Sequence, residues 1–169
     1  MSDTLITVIA IFLAAVLMFV FPLMTVSNTQ DEISQVAVQS IVAEFVNNVA
    51  SKGEITKNDY EAFTTKLYAT GNTYDIQLEH KIMTTNPNKG EGNKAGESLY
   101  YSEFTSEIEK ALGETGEYKL KKGDYIIATV KNTNITIATQ LKNFLYSIVG
   151  KDTYTIAASS SALVVNTGY

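Results

Sequence analysis

The sequence predicts an α+β fold: one long N-terminal helix, transmembrane in its first half and amphipathic in its second, packs on a small antiparallel sheet with short helices. Three observations predict it. Leu5 to Val26 is an uncharged apolar run, apolar positions then recur at helical spacing as far as Val49, and from Tyr74 the period switches to two. At 169 residues, against roughly 150 per domain, the chain holds one globular domain and an appendage. The expected organisation is a transmembrane anchor over 1–29, an amphipathic helix continuing it over 30–53, and a small α+β domain over 54–169.

The run LITVIAIFLAAVLMFVFPLMTV forms a helix of about 33 Å, enough to cross a hydrocarbon core of about 30 Å. A secretory leader is the competing reading. No Lys or Arg precedes Leu5, the run exceeds the usual ~7–15 residues of a leader, and no small-x-small site follows it, so an uncleaved span is expected. Pro22 removes a helical N–H and is expected to kink the rod near its end. The first Lys is Lys52, beyond the ~15–20 residues whose charge sets orientation, so charge leaves the direction of insertion open.

No Gly or Pro falls between Leu23 and Lys52, so the helix is expected to continue, with Val38, Ile41, Val42, Phe45 and Val49 as the face that packs on the domain. Gln39, Glu44, Asn47, Asn48 and Ser51 fall largely opposite, and Gly53 supplies the stop. Thr56 to Asp59 reads as a capping box opening a helix that buries Tyr60, Phe63 and Leu67 and ends by Gly71. Tyr74 to Ile82 alternates as a half-buried strand, and residues 85–97, with three Gly, one Pro and no large apolar side chain, read as an exposed loop. Phe104, Ile108 and Leu112 suggest a short helix stopped by Gly113. Tyr125 to Val130 reads as a strand and Lys131 to Asn134 as a turn or the strand's exit. Leu141, Phe144, Leu145 and Ile148 suggest a helix face closed by Gly150, and Tyr154 to Val165 the last of three strands.

Composition narrows the chemistry. All 13 basic residues are Lys, against 18 Asp and Glu, for a net charge of −5; there is one His, His80, and no Cys. Thiol nucleophiles, thiolate metal sites and disulfides are excluded, and nucleic acid is not an expected partner because the sign is wrong and Arg is missing. His80 falls on the apolar face of its strand, where a hydrogen-bonded core histidine outweighs a catalytic one. Asp75 and Glu79 share a strand face but lie about 13 Å apart, too far for a carboxylate pair, and read as a solvated edge. The six Glu between Glu97 and Glu117 read as an acidic helix face beside the basic Lys119 to Lys122, with a contact between copies as the alternative. No catalytic, cofactor or metal constellation is expected, so the chain is not expected to be an enzyme.

The span Leu5–Val26, its amphipathic continuation through Val49, and the order Gly123–Val130, Leu141–Ile148, Thr155–Val165 resemble type IV pilins and pseudopilins, and more closely the TadE-like minor pilins of tight-adherence systems. The resemblance implies a single-pass membrane protein with its domain outside the cell, without enzymatic activity, acting in a surface filament or secretion machine. Its partners would be the lipid bilayer and its own copies or other pilin-like subunits. The chain has no Gly before Gly53 and no Glu before Glu32, where cleaved pilins carry both, which suits a permanently anchored minor component. Ala10, Ala14 and Ala15 are the small positions for helix–helix contact in lipid, the alternative being lipid-facing alanines. The other reading is a single-pass receptor binding a ligand at Asn86–Glu97; an anchored hydrolase ranks third.

Overall fold

The computed structural model describes residues 2–83, 100–145 and 156–168. Ten elements follow in order: α1 (Ser2–Lys52), β1 (Glu54–Thr56), α2 (Lys57–Tyr68), β2 (Tyr74–Met83), β3 (Tyr100–Phe104), α3 (Thr105–Glu114), β4 (Glu117–Lys119), β5 (Tyr125–Asn132), α4 (Ile137–Leu145) and β6 (Ala157–Leu163). The fold is α+β, with a four-stranded antiparallel sheet in the order β3-β2-β5-β6 and a separate two-stranded pair, β1-β4. The chain divides into two compact units, Met1–Ser34 with Ile135–Tyr154, and Gln35–Asn134 with Thr155–Tyr169.

In the second unit, α1 from Val38 to Ala50 supplies one wall of the core. Val38, Val42, Val46 and Val49 are fully buried, Phe45 nearly so, and Ile41 packs partly buried against them. Recurrence at 3 or 4 residues keeps these side chains on one stripe of the helix. The sheet answers with its own period of two: Tyr74, Leu78 and His80 from β2 and Ile126, Ala128 and Val130 from β5 point inward. Phe45 stacks on Phe63 of α2, ring centroids 4.1 Å apart.

Helix ends are settled by local chemistry. Gly53, at φ 79°, ends α1 in the left-handed region open to glycine. The C-terminal tail then closes over it, Val165 N–H donating to the Ala50 carbonyl and Asn166 Nδ2 to the Ser51 carbonyl, and Leu120 N–H, just after β4, donates to the Gly53 carbonyl. At the start of α2, Asp59 N–H donates to Thr56 Oγ1 at 3.1 Å, and the Asp59 carboxylate accepts from Thr56 and, at 2.7 Å, from Lys52 Nζ. Burial alone would raise the Asp59 carboxyl, but those bonds hold it below the ordinary carboxylate value.

Several expectations need correction. The main sheet has four strands rather than three, because residues 100–104 pair with β2. Phe104 is therefore the last residue of a strand, 57% exposed, and α3 buries only Ile108 and Leu112. Gly113 lies inside α3, which runs on to Glu114, and the glycine with positive φ, 78°, is Gly116 just beyond its C-cap. Asp75 and Glu79 lie on an interior strand, so theirs is a solvated face and not an edge. Lys131 and Asn132 continue β5 instead of leaving it. The 85–97 loop, Ile148, Gly150 and the first residues of the last strand lie outside the described residues, as do the side chains of Phe144 and Leu145.

Candidate functional site

The first candidate is the surface of α1 itself. Between Leu5 and Val26 its large side chains face outward: Phe12 is 70% exposed, Met18 76% and Phe19 77%. An apolar surface of this kind has no solvent in water and a natural one in lipid. The polar side chains near it are satisfied within the helix, Thr7 Oγ1 donating to the Asp3 carbonyl at 2.8 Å and Thr25 Oγ1 to the Phe21 carbonyl at 3.1 Å. Ala10, Ala14 and Ala15 are exposed, Ala10 and Ala14 one turn apart, and Pro22 is accommodated within the continuous helix. By length and composition α1 can cross a membrane, a test that an N-terminal signal sequence also passes.

One face of this stretch is different. Val20 and Met24 are half-buried, and Ser27, Asp31 and Ser34 are buried. Thr136, just before α4, donates to Asp31 Oδ2 at 2.7 Å and stands 3.2 Å from Thr139 Oγ1. Sequence reasoning missed this pairing because its partners are 105 positions apart.

The second candidate lies in the folded unit, where His80, 2% exposed, links three elements. Its Nε2 is 2.9 Å from Asp124 Oδ2, its Nδ1 is 2.7 Å from the Tyr118 hydroxyl, and Tyr118 in turn donates to Glu103 Oε2. Asp124 also accepts Lys121 N–H and Met83 N–H, so its carboxylate ties the turn before β5 to the end of β2. Burial pushes the His80 imidazole below its ordinary value, opposed by Asp124 and Glu103. Burial, with Glu103 beside it, raises the Tyr118 phenol.

These groups border a cleft of about 260 Å³ that Ile82, Tyr101 and Ala111 also line. His80 has the contacts of a core histidine that pins strands together. Among the described residues that line the cleft there is no Ser, Cys or Thr nucleophile beside the imidazole for it to activate. Tyr118 and Glu103 were missed as its partners: one lies in a strand too short to show alternation, and the other was assigned to a helix face. The signal for Asp124 was the Gly123-Asp124 turn, which places a carboxylate at the mouth of β5. Among the described residues no group of three or more His, Asp or Glu is arranged to hold a metal. The receptor reading's Asn86–Glu97 lies outside the described residues.

The long helix on an antiparallel sheet is consistent with a pilin-like architecture. No protein-family model, curated protein or solved structure matches the chain.

Proposed function

We propose that the chain is a membrane-anchored, pilin-like structural subunit or assembly factor of a surface filament or secretion machine, closest in kind to TadE-like minor pilins and without enzymatic activity. One observation carries the reading. A single helix, Ser2–Lys52, exposes apolar side chains in its first half and builds the core of the folded domain with its second. Such a subunit exchanges lipid for neighbouring helices when it assembles while its domain stays folded. Association between apolar helices in lipid gains little from hydrophobicity and relies on close packing at small residues, the role assigned to Ala10, Ala14 and Ala15. The domain faces outward from the cell membrane and presents its polar outer sheet surface, including Gln77, Thr129 and Ser159, to the exterior.

The absence of Cys makes the test clean. Ala14→Cys in the full chain, expressed in its native membrane and oxidised, should give a disulfide-linked species with itself or with a similarly small protein. Deletion of the protein should reduce surface filaments or secretion. A chain that remains monomeric with cysteine at each of 10, 14 and 15, and whose deletion leaves both untouched, is not such a subunit.

A further inference from the structure

We infer that the two open edges of the main sheet pair with one another between copies, β6 of one chain taking β3 of a second copy as its next strand; this rests on the subunit reading above. The hydrogen bonding of β6 alternates. Asn132 N–H donates to the Ile156 carbonyl at 2.9 Å and Val164 N–H to the Asp124 carbonyl at 2.8 Å. Between those bonds the register runs without a bulge from Lys131↔Ala157 to Tyr125↔Leu163. Even-numbered residues of β6 therefore bond to β5, and odd-numbered ones turn their N–H and C=O away from it. Two of the outward positions are closed. Gln35 of α1 holds both backbone groups of Ala157, at 2.7 and 3.0 Å, and Val165 N–H reaches the Ala50 carbonyl at 3.1 Å. Between them Ser159, Ser161 and Leu163 are exposed, and their outward groups have no partner among the described residues. Charge, proline and bulge, the devices that shield an edge strand, are all missing from Ala157–Leu163.

β3 is the matching edge. Leu78 N–H donates to Thr105 Oγ1 at 2.8 Å, so even-numbered residues of β2 face the β3 side, and the pairs His80↔Glu103 and Ile82↔Tyr101 exchange the ladder bonds. Tyr100 and Ser102 thus turn their backbone groups outward, and Phe104 ends the row because its N–H is held by Glu107 Oε2 at 3.1 Å. Every neighbouring pair in the order β3-β2-β5-β6 is antiparallel, so β3 and β6 run in opposite directions. A second copy shifted sideways without being turned over therefore presents β3 to β6 in antiparallel sense, a relation open to copies inserted in one membrane. The register that sets Ser161 opposite Ser102 sets Leu163 opposite Tyr100 and matches the outward groups of both pairs. On the inner face it places small against large, Ala162 opposite Tyr101 and Ser160 opposite Glu103, and it sets no like charges against each other. Two β6 strands paired with one another would instead set Ser160 against Ala162, with no large side chain to fill that face. The contact is head-to-tail, so it repeats from copy to copy rather than closing a pair.

The chain has no Cys, so a cysteine placed on each edge reports that edge alone. Directly paired residues of an antiparallel ladder lie about 5.5 Å apart at Cα, within the reach of a disulfide. Full chains carrying Ser161→Cys and Ser102→Cys, one with a size tag, are expressed together in the native membrane and oxidised. The mixed dimer should exceed either homotypic one by about tenfold. Leu163→Pro added to the first chain removes an N–H that makes no bond within the chain, and should cut the mixed product by about tenfold. A mixed product that this change leaves undiminished would mean that the chains do not meet through their strands, and would overturn the inference. So would an excess of the homotypic product of the Ser161→Cys chain, which reports two β6 strands side by side. If Ala14→Cys links while the two sheet positions do not, the edge pairing is wrong and the subunit reading stands. If Ala14→Cys also stays unlinked and deletion leaves filaments and secretion untouched, the subunit reading fails and this inference with it.

Discussion

Between Leu5 and Val26, α1 turns side chains such as Phe12, Met18 and Phe19 outward, whereas between Val38 and Ala50 it keeps one stripe of Val and Phe wholly inside and leaves Gln39, Asn47 and Asn48 in water. Backbone geometry is the same in both halves. What changes is the pattern of side chains, and that pattern decides which medium each half requires. The second half carries folding stability, since the core closes on it; the first carries partition, since little of the protein covers it. Substitutions of one kind should therefore have different consequences on the two sides of Ser34.

The largest effect is expected in the second half. Val42→Asp places an unpaired carboxylate where no water reaches and should destabilise the domain by about 3–5 kcal/mol, read by chemical denaturation of the membrane-reconstituted chain. The matching change in the first half, Phe19→Asp, should leave the domain's denaturation midpoint unchanged. It should instead weaken insertion by about 2.5–3.5 kcal/mol, seen as a shift from the membrane to the soluble or aggregated fraction. If both variants lose domain stability equally, the division of roles along α1 is wrong.

At the end of the buried half, Gly53→Ala should cost about 2–3 kcal/mol. The left-handed φ of 79° is unfavourable to a side chain, and a Cβ there would lie 2.5 Å from the Asn166 carbonyl oxygen and 2.7 Å from Gly168 N. Gly71→Ala shares the positive φ but meets nothing within 4 Å, so it should cost only about 1 kcal/mol. Thr56→Ala removes the α2 cap and should likewise cost about 1 kcal/mol by thermal denaturation.

The smallest effect is that of pH, because Asp124 and Glu103 act against the burial that lowers His80. With its folded value below the ordinary 6.5, neutral His80 contributes stability that is present above that pH and is lost as pH falls toward the folded value. Thermal midpoints should fall on acidification below pH 6.5, and His80→Gln should flatten that part of the profile.

Periodicity made the long elements legible in the sequence. α1 extends to Lys52 because its stripe continues past the span and Gly53 stops it, α2 begins where the capping box placed it, β2 follows its alternation, and β5 follows its run of β-branched and aromatic residues. β1 and β4 have three residues each, too few for a period to show, and exist because they pair with one another. β3 was hidden because Phe104 fits a helical spacing with Ile108 and Leu112, while its backbone belongs to the ladder with Glu79. The contacts that shape the candidate sites are long-range. Neither the Thr136 bond to Asp31 nor the bidentate hold of Gln35 on Ala157, at 2.7 and 3.0 Å, leaves any local trace.

The most direct test of the account is mass spectrometry of the protein extracted from its native membrane, read for whether Leu5–Val26 is still joined to the folded domain, with protease applied to intact cells in parallel. The account predicts that the apolar segment is retained in the membrane fraction and that the domain is digested from outside. A domain recovered without Leu5–Val26 would contradict it, since α1 would then begin as a removable leader and the subunit would not be permanently anchored.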